Sequence, residues 1–367
     1  MPELNDEHHM KMALRLARRG LGKTSPNPMV GAVIVKNRKI IGQGYHERFG
    51  GPHAEINAIK NAEGDLNSAT LYVTLEPCCH QGKKTPPCLD TLLKYKWRRV
   101  VIGTTDPNPR VNGRSVEILK QRGIETRTGV LEEECQKLNE VYFKHIQTGI
   151  PFVTLKFAQT LDGRIATVTG DSRWISSEPS LKWAHRLRSY HDAVMVGVGT
   201  VIKDDPQLTV RLVKGRNPVR IVADSKLRIP LKAKILKEQE VARTIIATTT
   251  KADKKKLSAL KRMDIEVLTV KSDKAGDVDL KDLLKELGRR NISSVLVEGG
   301  AETITSFLQQ RLADRVIAIV APKVMGKGVE AVGELGVRQV KQSLKLSFER
   351  VYRRGEDVII EASFIKH

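Results

Sequence analysis

His53-Ala54-Glu55, followed by Glu76-Pro77-Cys78-Cys79-His80-Gln81-Gly82-Lys83-Lys84-Thr85-Pro86-Pro87-Cys88, is the stretch from which the rest of this chain can be read. It holds, in order, the parts of a hydrolytic zinc site. A catalytic zinc keeps three protein ligands and leaves its fourth position to water. One imidazole, His53, and two thiolates, Cys78 and Cys88, can supply the three. Glu55, two residues from His53, can take a proton from the water and hand it to a leaving amine. Each piece alone has a bland alternative. His-x-Glu triplets are common, and a lone cysteine is more often a small buried hydrophobe than a ligand. The ordered set, lying between short apolar strands, is far harder to explain as chance.

Zinc deaminases of nucleobases combine a His-x-Glu element, a Pro-Cys and a second Cys with a glutamate that is not a ligand. Here the two cysteines stand ten residues apart, not three, and Cys79 competes with Cys78 for the first position. Cys78 follows Pro77 directly and is favoured for that reason. Tetrahedral closure needs only that both sulfurs come within about 2.3 Å of the metal, and Gly82 with two prolines can shape that loop.

A chain of 367 residues exceeds what one hydrophobic core supports, so two domains are expected. Hydrophobic residues make up 40% and aromatics only 4%, which leaves the cores to Val, Ile, Leu and Ala. No apolar run approaches the roughly 18 residues of a membrane span. The acidic start, Met1 to Glu7, lacks the apolar centre of a signal peptide. Four cysteines, two or three of them claimed by metal, argue for a reducing cytoplasm. The net charge of +21 comes from 63 basic and 42 acidic residues. These are spread along the chain, the densest basic run, Lys251 to Lys256, falling at a helix start. A solvated basic face is the first explanation, small phosphorylated ligands the second, and nucleic acid the last, since no basic stretch is interleaved with aromatics.

The pattern is α/β throughout. Hydrophobic periodicity predicts helices near 5–19, 53–62, 115–122 and 131–147 and one opening at Cys88, with a hairpin at 30–35 and 40–45 and strands at 70–74 and 100–103. Thr148-Gly149-Ile150-Pro151 breaks this pattern and divides the chain into domains 1–147 and 148–367. The second half restarts with strands at 152–158, 193–198, 219–224, 244–248, 265–270, 294–298 and 315–320, and closes with a hairpin at 345–353 and 357–365.

A second chemistry begins at Ser293 to Thr303, a strand, the turn Gly299-Gly300 and a helix start. Glycines let a phosphate approach the backbone, and a helix N-terminus offers N–H donors. Alone this is a generic tight turn. Ala193 to Thr200 repeats the arrangement, and Asp204-Asp205-Pro206 and Leu208-Thr209-Val210-Arg211 follow. The plain alternatives are a polar loop for Asp204-Asp205 and a surface ion pair for Arg211. Lys156 and Leu161-Asp162-Gly163-Arg164 form a charged cluster beyond what a structural turn needs. Trp174 is either a lid over a planar ring or a packing residue.

Together these motifs resemble the bifunctional deaminase/reductase family of riboflavin biosynthesis, over essentially the whole chain. Ser25-Pro26-Asn27-Pro28, Val30-Gly31, Gly44-Tyr45-His46, the two zinc motifs and Asp106-Pro107-Asn108-Pro109 match its deaminase half. Leu161 to Arg164, Trp174-Ile175, Val198-Gly199-Thr200, Asp204 to Pro206, Leu208 to Arg211 and Val297 to Gly300 match its reductase half. The one departure is the zinc loop, where Lys83-Lys84 makes it a residue longer.

The resemblance implies a cytidine-deaminase-like N-terminal zinc domain and a dihydrofolate-reductase-like C-terminal domain that uses NADPH. It implies a small phosphorylated pyrimidine substrate, deaminated on the ring and then reduced from ribosyl to ribityl. Zn2+ would be held by His53, Cys78 and Cys88, with Glu55 as proton carrier. Asn27, His46, His80, Asp106 and Asn108 would line the deaminase pocket, the alternatives being an orienting group for His80 and a turn residue for Asn108. Ala158, Trp174, Thr200, Asp204, Ser225 and the segment Gly300, Ala301, Glu302, Thr303, Ile304, Thr305, Ser306 fall at NADPH positions. Ser172, Arg188, Leu208, Arg211 and Glu298 fall at substrate positions, the two arginines suiting a phosphate. Lys156 and Asp204 are candidates for proton transfer during ring opening. A cytoplasmic homo-oligomer without nucleic-acid or membrane partners is expected. Two rivals are a nucleic-acid base deaminase with a basic C-terminal domain, and a non-catalytic metal scaffold.

Overall fold

The computed structural model describes residues 3–82 and 85–365. Lys83 and Lys84, the insertion whose role the sequence leaves open, lie outside the described residues. The chain divides into two compact units, Met1–Gly149 and Ile150–His367.

The first unit runs α1 (Glu3–Ala17), β1 (Gly31–Lys36), β2 (Lys39–Tyr45), α2 (Ala54–Lys60), β3 (Thr70–Leu75), α3 (Cys88–Leu92), β4 (Arg99–Thr104), α4 (Arg114–Gln121), β5 (Glu125–Thr128), α5 (Glu132–Leu138) and α6 (Glu140–Thr148). Its five strands lie in the order β2-β1-β3-β4-β5, with β1 antiparallel to both neighbours and β3, β4 and β5 parallel. Successive side chains on a strand face opposite ways, and both faces are covered. Ala32, Ile34, Leu71, Val73, Val100 and Ile102 pack under α2, α3 and α4. Val33, Val35, Tyr72 and Val101 pack against α1 and α5. Gly44 lets α2 press on the sheet, because a Cβ there would stand 2.3 Å from Ala58 N. That close approach fixes the helix on whose N-cap His53 sits.

Two expectations change here. The helix read over 131–147 is two helices, broken at Asn139, whose side chain accepts from Met29 N at 2.8 Å and donates to Met29 O at 2.9 Å. Asparagine readily leaves helical geometry to bond elsewhere. Strand β5 carries no apolar alternation, its residues being half-buried or exposed, so periodicity had nothing to find.

The second unit comprises β6 (Phe152–Thr160), β7 (Arg164–Thr167), α7 (Glu178–Tyr190), β8 (Ala193–Gly197), α8 (Val198–Asp204), β9 (Val219–Ala223), β10 (Thr244–Thr248), α9 (Lys254–Arg262), β11 (Glu266–Thr269), α10 (Leu280–Arg289), β12 (Ser294–Val297), α11 (Ala301–Gln309), β13 (Arg315–Ala321), β14 (Gly328–Glu330), β15 (Leu346–Arg354) and β16 (Asp357–Phe364). Nine strands form one sheet in the order β11-β10-β9-β8-β12-β6-β13-β16-β15. It is parallel up to β13 and ends in the antiparallel hairpin β16-β15. The core between this sheet and α10 and α11 holds Leu283, Leu287, Val295, Ile304 and Phe307.

A separate ribbon pairs β7 with β14, and it explains the charges at Asp162 and Arg164. Asp162 accepts from Met325 N and Gly326 N at 3.1 and 2.6 Å, and Arg164 pairs with Glu330 at 2.8 Å. The charges expected to mark a site there tie one loop to another.

Candidate active sites

His53 ends the approach to α2, Cys78 follows β3 and Cys88 opens α3, so three separate elements each deliver one donor. His53 Nδ1 lies 3.4 Å from Cys78 Sγ and 3.2 Å from Cys88 Sγ. All three donor atoms fall within 4.8 Å of one another. Ordinary zinc bond lengths at tetrahedral angles set nitrogen and sulfur about 3.5 Å apart, so the donor set fits zinc. The surroundings fit too. His53 Nε2 lies 3.2 Å from Thr85 Oγ1, and the backbone N–H of Cys88 points at Cys78 Sγ at 3.3 Å. Such outer contacts orient ligands and steady a thiolate. Cys79 faces elsewhere, its Sγ 3.7 Å from Arg110 O.

Glu55 is 3% exposed. Burial pushes its carboxyl up, and the Cys78 thiolate adds to that while His53 opposes it. A carboxyl raised in this way is suited to carrying a proton between water and a leaving group.

Around this cluster lie the residues read as pocket walls. His46 is buried, its ring 5.1 Å from that of His53. Its Nδ1 meets Pro52 O at 3.0 Å and its Nε2 meets Asn27 Nδ2 at 3.1 Å. The carbonyl requires hydrogen on Nδ1 and the amide requires a lone pair on Nε2, so the ring is neutral. Burial lowers its pKa accordingly. Asp106 is buried and pushed up to about 6 by that burial, against the N–H of Asn108 and the hydroxyl of Tyr142. Tyr142, on α6, donates to its Oδ1 at 3.0 Å. Sequence reasoning missed Tyr142 and Thr85. Nothing marks Tyr142 before the fold brings α6 across, whereas Thr85 stood inside the quoted motif. Asn108 serves the turn, its Oδ1 accepting from Arg110 N at 3.1 Å. His80 sits half-buried two residues beyond Cys78.

In the second unit the two glycine turns lie side by side. Gly197 N donates to Gly299 O at 3.2 Å, and a Cβ on Gly300 would meet Thr200 Oγ1 at 3.3 Å. Gly299 has φ +115°, a conformation that glycine alone adopts readily. Ligands of open α/β sheets settle at the carboxyl ends of parallel strands. A cavity of about 480 Å³ opens there, lined by both turns, by Thr200, Asp204 and Ser225, and by Ile165 and Val329 of the ribbon. Ser172, Gly300, Ala301, Glu302, Thr303 and Ser306 also line it. The remaining residues expected at the cofactor lie outside this lining. Ile304 and Thr305 occupy the inner face of α11, the first in the core and the second bonded to Ala301 O and Gly333 N. Ala158 packs beside Leu187 and Leu296. Trp174 is 67% exposed and does not line the cavity; it is no packing residue.

A buried ionic cluster lies at the end of β12 and on β6 and α7. Arg188 grips Glu298 through Nε at 2.6 Å and Nη2 at 2.9 Å, and its Nη1 donates to Thr209 O at 3.1 Å. These bonds use three of its five N–H donors, so Arg188 is held in place by Glu298 and Thr209 with two donors left for the expected phosphate. Arg211 is exposed and better placed for that. Lys156 Nζ lies 3.7 Å from Glu298. Burial lowers the Lys156 pKa, with Glu298 opposing. At Glu298 burial is outweighed by Arg188 and Lys156, which hold the carboxyl at about 2. His185 Nδ1 accepts from Arg211 N at 2.9 Å, and burial takes it from 6.5 to about 4. Leu208 is buried at the start of the same loop.

The model of the cytidine and deoxycytidylate deaminase zinc-binding region matches residues 4–104, and that of the RibD C-terminal domain matches residues 151–360. The riboflavin biosynthesis protein RibD of Aquifex aeolicus is 48% identical over 356 residues, 97% of each chain. The chain belongs to the RibD family. Escherichia coli RibD is 36% identical, covering 97% of this chain and 99% of its own. The Thermotoga maritima deaminase/reductase crystal structure matches all of both chains with a TM-score of 0.87 at 41% identity. Acinetobacter baumannii RibD gives 0.89 at 36% identity over 99% of each. As a RibD protein the chain is a bifunctional deaminase and reductase of riboflavin biosynthesis, with a zinc-binding deaminase domain and a reductase domain that implies a nicotinamide cofactor. Both rival readings fall to these matches. No helix among the described residues is long and apolar enough to cross a membrane.

Proposed function

We propose that the first unit deaminates 2,5-diamino-6-(5-phosphoribosylamino)pyrimidin-4-one and that the second reduces the product's ribosyl group with NADPH. The observation that carries the first half is the convergence of His53, Cys78 and Cys88 beside buried Glu55. The substrate is the one for which the Thermotoga maritima relative is described. Zinc, when bound, makes water nucleophilic at neutral pH. Glu55 takes a proton as water adds to the ring carbon bearing the 2-amino group, and returns one to the nitrogen that leaves as ammonia. Neutral His46, with Asn27 on its Nε2, offers a fixed polar wall. Asp106, steadied by Tyr142, offers a carboxyl to the ring's polar edge.

NADPH, when bound, supplies a hydride. The residues fitted to hold it are the glycine turns with Thr200, Ser225, Thr303 and Ser306, since backbone N–H groups at such turns suit a pyrophosphate. Lys156, its proton loosened by burial, would protonate the ribosyl ring oxygen as its bond to the nitrogen-bearing carbon breaks, leaving that carbon to take the hydride that NADPH would bring. Arg211 suits the substrate phosphate. Asp204, on the cavity wall, is the alternative proton carrier. Zinc analysis together with the two activities tests this reading. One zinc per chain is expected, with loss of the diaminopyrimidine absorbance and, on deaminated substrate, a fall at 340 nm. Absence of NADPH oxidation on deaminated substrate would overturn the reductase half.

A further inference from the structure

Glu76 leaves β3 two residues before Cys78, and the chemistry described above does not use it. Its side chain is 3% exposed. Oε2 accepts the backbone N–H of Asp106 at 3.2 Å and of Gly113 at 2.8 Å, and Oε1 accepts that of Ser115 at 3.0 Å. Among the described residues no lysine or arginine pairs with it, and these three backbone N–H groups meet its carboxylate. All three donors belong to one segment, 106–115, which begins with Asp106 and runs into α4. One buried carboxylate therefore ties the segment bearing a metal donor to the segment bearing a pocket wall.

We infer that Glu76 is a positioning residue for deamination: it sets the register between the Cys78 segment and the Asp106 segment, and so fixes where the pyrimidine lies relative to the metal donors. The inference rests on the reading of Asp106 as a pocket wall. The chemistry of the side chain is specific. An ionised carboxylate is acceptor-only at both oxygens, and bonds to it are about twice as strong as neutral ones. Glutamine has one acceptor, and either orientation turns its NH₂ against a backbone N–H. Aspartate keeps the charge but loses a methylene of reach. A second bond joins the same two segments without the carboxylate, from Ser115 Oγ to Pro77 O at 2.5 Å, and it supplies the control.

The test is steady-state deamination by full-length Glu76→Gln, Ser115→Ala and Asp106→Ala, with zinc content and NADPH oxidation on deaminated substrate measured alongside. Glu76→Gln is expected to raise KM for the pyrimidine about 10- to 100-fold, the loss typical of a charge-assisted bond, with kcat, zinc and reductase turnover held. Ser115→Ala is expected to keep the wild-type KM. An unchanged KM in Glu76→Gln, or an equal rise in Ser115→Ala, overturns the inference. A KM rise in Asp106→Ala with none in Glu76→Gln removes the inference alone, whereas an unchanged KM in Asp106→Ala removes the pocket reading and the inference with it. Should Glu76→Gln fail to fold, Glu76→Asp takes its place under the same criteria.

Discussion

A glutamate one residue inside α2 and a histidine at that helix's N-cap share a single turn of chain, so the donor and the proton carrier cannot drift apart. Glu55→Gln keeps size and shape but carries no proton. Deamination is expected to fall by about 10²–10⁴ with zinc retained, as rate and metal analysis together will read. Cys78→Ser and Cys88→Ser are each expected to lose zinc, while Cys79→Ser keeps it, because Cys79 Sγ is turned to Arg110 O. Metal content after gel filtration distinguishes the three. His185 gives a pH dependence. Its pKa drops from 6.5 to about 4 on folding, so the unfolded chain binds the extra proton between those values. The stabilisation is whole above about pH 6.5 and is lost as pH falls toward 4. His185→Asn, with an acceptor for Arg211 N–H but no titration, is expected to flatten that part of the melting-temperature profile.

At the scale of elements, Asn139 does what no helical periodicity reveals. It separates α5 from α6 and pairs with both backbone groups of Met29, two residues from Asn27. Asn139→Ala removes both bonds to the half-buried backbone of Met29, at about 0.5–1.5 kcal/mol for each. The melting temperature of the first unit is expected to fall accordingly, and KM for deamination to rise as Asn27 loses its anchor. Helix α11 shows the converse limit. Seven consecutive residues were read as cofactor contacts, but a helix turns 100° per residue, so Ile304 enters the core and Thr305 turns to Gly333 while Ala301, Glu302, Thr303 and Ser306 line the cavity.

For the whole molecule, the two chemistries occupy separate compact units, so damage to one site should spare the other. Glu55→Gln is expected to reduce deaminated substrate at the wild-type rate, followed at 340 nm. Loss of NADPH oxidation in that variant would contradict the two-site reading. The charge of +21 is also expected to act on phosphorylated ligands at long range, so raising salt should raise KM in both assays through screening. By itself the sequence determined the two α/β halves, the candidate set His53, Glu55, Cys78 and Cys88, and both glycine turns. Each of these is a local pattern, set by alternation along strands or by residue types that a metal or a phosphate requires at short spacing. Only the tertiary structure decided that Tyr142 holds Asp106, that Glu76 spans two segments, that Arg188 pairs with Glu298, and that Asp162 and Arg164 fasten a loop. In each case the partners stand far apart in the chain, and a charged or hydroxylated side chain carries no local sign of which distant group will satisfy it once burial removes water.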